Sequence, residues 1–169
     1  MMRPASLLAL ATLIACSAAP PPALVEGAPL GQARHGLEAE LSLQLERPGK
    51  VVVVVFFATW SEAARAVLTQ VEKLHSELAA QGVEAIGVAI DEDQRFVAPF
   101  VGELGLTFEV LADPGARKAE RLARLEAVPT VAVLDAERTV RLLSSDPHAI
   151  REVESLVVSL ASKPIEQAD

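Results

Sequence analysis

The stretch Val51–Phe57, which reads VVVVVFF, constrains the fold of this chain more than any other feature. Five valines and two phenylalanines in a row favour a strand, because β-branched and aromatic residues fit an extended backbone better than a short helix. An unbroken apolar run also indicates that both faces of the strand are buried. The run stops at residues 58–60, and a helical pattern follows until Gly82 ends it. The sequence therefore predicts a central strand whose carboxyl end turns directly into a helix.

Two sets of residues could cap the start of that helix. Thr59 and Glu62 have the spacing of a capping box, and Ser61 is the alternative N-cap. In either case the turn gathers free backbone N–H groups and the positive end of the helix dipole in one place.

The remaining apolar patterns predict an α/β domain. Alternating apolar residues at 37–45 indicate a strand with one buried face. A buried strand, a helix and a second buried strand form a parallel, right-handed βαβ unit. Further strands are predicted at 83–90, 130–134 and 139–143, and a short extended piece at 106–111. Further helices are predicted at 94–104, 116–125 and 148–161.

The segment FFATWSEAAR resembles the active-site turn of thioredoxin-like proteins, especially the TlpA-like redoxins of the AhpC/TSA type. That family has Trp-Cys-x-x-Cys at this point, often followed by arginine. Trp60 and Arg65 match the pattern, whereas Ser61 and Ala64 stand where the two cysteines would be. The resemblance covers roughly residues 34–162. It implies a thioredoxin-like α/β fold, with a central mixed β-sheet flanked by helices.

The resemblance also implies a groove that takes an extended peptide or an envelope protein. A cis bond is expected before Pro129, facing the turn, and strand directions bring residues 59–62, 128–130 and 144–146 to one pole of the sheet. The alternative for Trp60 is that it merely covers the end of the core. The expected groove residues are Thr59, Trp60, Ser61, Glu62, Val128, Pro129, Thr130, Ser144 and Ser145.

The thiol chemistry of the family cannot occur at this turn. Disulfide exchange needs a thiolate, and Cys16 is the one cysteine of the chain. Val55 occupies the position at which thioredoxins often carry a buried carboxylate that moves a proton. Ser61 and Ala64 are therefore degenerate redox positions, and we expect no catalytic residues and no cofactor.

Two other kinds of chemistry are candidates at the turn, a nucleophilic serine and a metal site. A nucleophilic Ser61 would need a base within about 2.6–3.2 Å. His75 is excluded because it lies about 21 Å further along the helix, but His148, oriented by Asp146, stays open. The acidic residues 91–93 lack the spacing of a calcium loop and are interpreted as a solvated loop, so we expect no metal.

The N-terminus predicts export. Residues 1–15 resemble a secretory signal, and the sequence LIAC ending at Cys16 resembles a bacterial lipobox. The alternative is a plain signal with an incidental cysteine. We expect a lipidated Cys16, an Ala- and Pro-rich tether at 16–33, a domain at 34–162 and a tail at 163–169, in a membrane-anchored lipoprotein facing the periplasm or the cell surface.

The net charge of −8 argues against a nucleic-acid partner. Three functional hypotheses remain. The first is a redox-inactive binding or scaffold module on the cell envelope. The second is an accessory component of a thiol–disulfide or peroxide-reducing system, and the third is an unrecognised enzyme.

Overall fold

The computed structural model describes residues 24–27 and 50–162. Within these ranges the chain forms one five-stranded sheet and α-helices on both of its faces. The strands are β1 (Val51–Phe57), β2 (Val83–Ala89), β3 (Glu109–Ala112), β4 (Thr130–Leu134) and β5 (Val140–Ser144). The helices are α1 (Glu62–Leu78), α2 (Val97–Leu104), α3 (Ala119–Ala123) and α4 (Ile150–Ala161).

The strand order is β3-β2-β1-β4-β5, with β1 at the centre. Strands β1, β2 and β3 run parallel, whereas β4 is antiparallel to both β1 and β5. This is the mixed sheet that the resemblance implies. The short extended piece expected at 106–111 is a strand of this sheet, β3, which lies at its edge. The carboxyl end of β1 therefore lies beside the start of β4 and the end of β5, because Phe56 pairs with Thr130 and Val131 pairs with Ser144. The predicted strand at 37–45 lies outside the described residues.

All seven residues of β1 are buried, because the sheet is covered on both faces. Val51, Val53, Val55 and Phe57 face a core formed with α1, α2 and α4. Val52, Val54 and Phe56 face a second core on the opposite side of the sheet, which includes residues of α3. Full burial of one such side chain contributes about 1.5–3 kcal/mol, so this strand is the main apolar anchor of the domain.

Three predicted helices differ from the structure at their ends. The helix expected at 148–161 begins as a 3-10 turn at 147–149 and is α-helical from Ile150. The helix expected at 94–104 starts as a 3-10 turn and becomes α-helical at Val97, which leaves Pro99 in the first turn, where its missing N–H removes no helical bond. The helix expected at 116–125 is too long. Ala116 has a left-handed backbone, the Asp113 carboxylate accepts the amide of Ala119 at 2.7 Å, and Arg124 ends α3 with a φ of 46°.

Residues 24–27, which are predicted to belong to the tether, contact the domain. The amide of Leu24 donates to the carbonyl of Leu122 at 2.8 Å, and the amide of Gly27 donates to that of Val140 at 2.7 Å. Leu24 is only 1% exposed and packs in the core on the α3 face. This short segment thus belongs to the domain rather than to a free tether.

The signal segment, Cys16 and the 163–169 tail lie outside the described residues. Within 24–27 and 50–162, no helix combines the length and the apolar character needed to cross a bilayer.

Candidate functional site

Ser61 begins α1 at the carboxyl end of β1. Its backbone is extended, and its Oγ accepts the amide of Ala64 at 3.3 Å. Ser61 is therefore the N-cap, and the alternative capping box of Thr59 and Glu62 is wrong. Glu62 is exposed in the first helical turn, where a negative charge interacts favourably with the helix dipole.

Ser61 also contacts the loop before β4. Its Oγ donates a hydrogen bond of 3.3 Å to the carbonyl of Val128. The Val128–Pro129 peptide bond is cis, as predicted. The hydroxyl of Thr130 donates to the carbonyl of Ala127 at 2.7 Å, which ties the loop to its own strand. The turn and the proline loop thus meet through the side chain of Ser61.

Thr59 has a different partner from the one expected. Its amide donates to both carboxylate oxygens of Asp91, at 3.0 and 3.1 Å, and its hydroxyl donates to Oδ1 at 2.6 Å. Asp91 is 5% exposed, so the interpretation of 91–93 as a solvated loop is wrong for this residue. The buried carboxylate holds the turn against the end of β2.

Trp60 is 74% exposed and therefore does not cover the core. It lines an open cavity of about 440 Å³. We call this cavity the aromatic cleft, because it is lined by Thr59, Trp60, Asp91, Glu92, Asp93 and Phe96. Phe96 is 60% exposed, so two large rings face solvent beside the turn.

One carboxylate of the aromatic cleft has a cationic partner. The Arg95 guanidinium donates to both oxygens of Asp93, and its Nε lies 2.9 Å from Oδ1. These side-chain bonds, helped by the Arg95 amide, hold the pKa of the Asp93 carboxyl below its ordinary value. The same pair raises the pKa of Arg95.

The third predicted segment lies at the same pole but borders other cavities. Ser144 pairs with Val131, and its Oγ accepts the amide of Asp146 at 3.2 Å. Ser145 and Thr130 line a cavity of about 340 Å³ together with Leu24.

Glu62 borders a third cavity, of about 700 Å³, with Pro147 and His148. Five of the nine predicted groove residues thus line three separate cavities, and the other four, Ser61, Val128, Pro129 and Ser144, line none of these three.

The positions that the resemblance assigns to the two cysteines hold Ser61 and Ala64, and Val55 lies in the central strand. Ala64 and Val55 are completely buried. In the described part of the chain, the hydrogen-bond partners of the Ser61 hydroxyl are an amide and a carbonyl, neither of which is a base. His148 is exposed, and its amide donates to Asp146, which caps the turn before α4. The pair Ser61 and His148 is therefore not assembled as a nucleophile and base.

Two further candidates from the sequence are a role for His75 and a metal site at the acidic residues 91–93. His75 is half-buried and meets the Phe108 ring edge-on at 6.0 Å. Among the described residues, no three His, Cys, Asp or Glu side chains are placed to hold a metal ion.

Sequence reasoning missed Asp91 and Phe96. Asp91 could have been found from topology, because β1 and β2 are parallel neighbours and the residues after them emerge side by side. Phe96 has no comparable signal, because a single aromatic residue at the start of a helix does not indicate whether it is exposed.

Comparisons with known proteins agree with this architecture. Residues 28–157 match the model of the Redoxin family. Two curated relatives are named thiol-disulfide oxidoreductase ResA. The one from Oceanobacillus iheyensis is 32% identical over 48% of this chain and 42% of its own length. The one from Halalkalibacterium halodurans is 35% identical over 47% of this chain and 45% of its own length. The matches thus span less than half of these relatives.

Solved structures show the same fold. A secreted thiol-disulfide isomerase from Corynebacterium glutamicum superposes with a TM-score of 0.63 at 23% identity, covering 73% of this chain and 75% of the other. A thiol:disulfide interchange protein of the thioredoxin family from Chlorobium tepidum gives a TM-score of 0.60 at 22% identity, covering 72% and 85%. The fold is thioredoxin-like. Because the family match spans most of the sequence, the chain belongs to the Redoxin family.

Proposed function

We propose that this protein is an exported, redox-inactive redoxin that binds an extended segment of a partner protein at the turn between β1 and α1. The observation that carries the proposal is the contact between Ser61 and the carbonyl of Val128. It keeps the helix N-terminus and the cis-proline loop together although neither cysteine is present. Exposed Trp60 beside this contact gives a partner an apolar surface.

Serine cannot take over the role of the missing thiol. Attack on a disulfide requires a thiolate, which a helix N-terminus stabilises by lowering the pKa of a cysteine. A serine hydroxyl stays protonated and forms no lasting bond to sulfur under the same conditions. Ala64 provides no resolving group, and Val55 provides no proton relay. What the site retains is shape and hydrogen-bonding capacity.

An extended partner can bind here as an additional strand binds a sheet edge. The Val128 carbonyl has two lone pairs, and the Ser61 hydroxyl engages one of them. Main-chain hydrogen bonds supply affinity in this mode, and neighbouring side chains such as Trp60 supply selectivity. Because no mixed disulfide traps the partner, binding should be reversible, with a Kd of about 1 μM, or about −8 kcal/mol.

The test of redox inactivity is a reductase assay on the purified protein. The unmodified chain should not reduce insulin disulfides above a buffer control. The variant carrying Ser61→Cys and Ala64→Cys should gain weak activity, because positions three apart on a helix place their side chains together. The single variant Ser61→Cys is the matched control, since it restores a thiol without a resolving partner. Disulfide reduction by the unmodified chain would contradict the proposal.

The similarity to proteins named ResA favours a second candidate, an accessory role beside a thiol–disulfide oxidoreductase. In that case the partner would carry the reactive cysteines. The two candidates differ in one measurement: an accessory protein should change the turnover of a co-purified oxidoreductase, whereas a separate binding module should not.

Export and anchoring are part of the proposal. The LIAC sequence before residue 17 and the secreted relative of the same fold support export. Acyl chains on Cys16, at about 0.8 kcal/mol per buried CH₂, would hold the protein on a membrane. Radiolabelled fatty acid should enter the wild-type protein and be lost in Cys16→Ala; unchanged label would contradict anchoring at Cys16.

A further inference from the structure

The aromatic cleft combines two exposed aromatic rings with three carboxylate side chains. Four large apolar side chains are exposed within residues 24–27 and 50–162, and two of them, Trp60 and Phe96, line this one cavity. Isolated exposed apolar residues are ordinary, but two adjoining rings at one cleft indicate an interaction surface.

The charge of the aromatic cleft is negative. Arg95 engages Asp93, but Asp91 and Glu92 have no cationic partner among the described residues. The donors to Asp91 are the neutral amide and hydroxyl of Thr59. The side chain of Glu92 lies against the backbone of Gly115, where an added Cβ would come within 2.5 Å of its Oε1.

Rings and carboxylates together select a cation. The face of a tryptophan or phenylalanine ring attracts a positive charge within about 6 Å. The long aliphatic stem of lysine or arginine packs on an apolar surface while its charged head reaches polar groups. A neutral apolar side chain would leave the exposed Glu92 carboxylate without a cationic partner, and an acidic side chain would be repelled by it.

We propose that the aromatic cleft binds a basic side chain, arginine or lysine, of the partner segment. This inference rests on the proposed peptide-binding function and names the chemistry of the partner. It adds Phe96 and Glu92, which lie outside the predicted groove, so the two ideas can be tested separately. Trp60 joins the groove to the aromatic cleft.

Trp60 is the only tryptophan of the chain, so its fluorescence reports binding at this place. The probe is the blocked peptide acetyl-Gly-Val-Arg-Val-Gly-amide, titrated into the purified protein. The control peptide replaces arginine by citrulline, which has nearly the same shape without the charge. We expect a saturable fluorescence change with the arginine peptide and a Kd at least about fivefold weaker with citrulline. The difference should shrink as salt is added.

Substitutions inside and outside the aromatic cleft test whether the arginine peptide binds there. Phe96→Ala and Glu92→Gln should each weaken the arginine peptide about threefold. Arg95→Gln should tighten it about twofold, because Asp93 then becomes available to the ligand. Glu154→Gln, an exposed charge removal on α4, should leave the Kd unchanged.

The outcomes separate this inference from the proposed function. Equal Kd values for arginine and citrulline, with binding lost in Trp60→Ala but not in Phe96→Ala or Glu92→Gln, would overturn the basic-residue inference and leave peptide binding standing. No response to either peptide at millimolar concentration would overturn both.

Discussion

The hydrogen bond from the Thr59 hydroxyl to Asp91 should be a main stabiliser of the turn. It is 2.6 Å long and ends on a carboxylate that is 5% exposed, so water does not screen it or replace it. Thr59→Val keeps the size and β-branching of the side chain and removes only the donor. The remaining donor to Asp91 is then the Thr59 backbone amide.

A hydrogen bond to a charged group contributes about 1.5–3 kcal/mol, and the amide of Thr59 still donates to Asp91 after the hydroxyl is removed. We therefore expect Thr59→Val to lower the free energy of unfolding by about 2 kcal/mol. For a domain of this size that corresponds to a fall in Tm of about 8 °C. Thr59→Ser, which keeps the hydroxyl, should retain most of the stability.

Thr107→Val is the matched control. The Thr107 hydroxyl donates to Glu72 at 2.7 Å, nearly the same bond, but the pair is exposed. Its loss should change the free energy of unfolding by less than about 0.5 kcal/mol. Urea denaturation followed by far-UV circular dichroism measures all three variants. Equal losses in Thr59→Val and Thr107→Val would refute the argument that burial makes the Asp91 contact strong.

Three further predictions follow from single contacts. Leu24→Ala should lower the free energy of unfolding by about 2–5 kcal/mol in the same denaturation assay, because Leu24 is buried in the core; a loss below about 1 kcal/mol would mean that this segment is not part of the domain. Ser61→Ala should lower it by about 1 kcal/mol through loss of the N-cap, whereas Ser61→Asp, which keeps a capping oxygen, should not. In an NMR titration of the side-chain carboxyls, the pKa of Asp93 should lie below its ordinary value. The interaction of Asp93 with Arg95 is therefore present at neutral pH and is lost as the pH falls through that lowered pKa. Arg95→Gln should raise the pKa of Asp93, and an unchanged pKa would contradict the assigned pair.

Much of the fold could be predicted because its strongest signals are local. The apolar run of β1 is readable without knowing its neighbours, and so is the amphipathic pattern of α1. Once strand directions are assigned, the meeting of residues 59–62 with 128–130 follows from topology, and the contact between Ser61 and Val128 agrees with it.

The features that were missed depend on distant partners. Asp91 is polar and follows a strand, so sequence alone suggests solvent; its burial results from Thr59, which lies 32 positions away in the chain. Leu24 stands in an Ala- and Pro-rich stretch without periodicity. Its position depends on a hydrogen bond from its amide to the carbonyl of Leu122 and on packing in the core on the α3 face. The shortening of α3 reflects the positive φ of Ala116, which a helical apolar pattern does not reveal.

The central claim is that the turn binds a partner segment without thiol chemistry. NMR titration of the isotopically labelled protein with the arginine peptide tests it most directly, in the presence and absence of dithiothreitol. The account predicts shift changes clustered at 59–62, 128–130 and 144–146 and in the aromatic cleft at 91–96. They should be the same with and without reductant, and lost in a folded Trp60→Ala variant. Shift changes elsewhere on the domain, or binding that depends on the reductant, would contradict it.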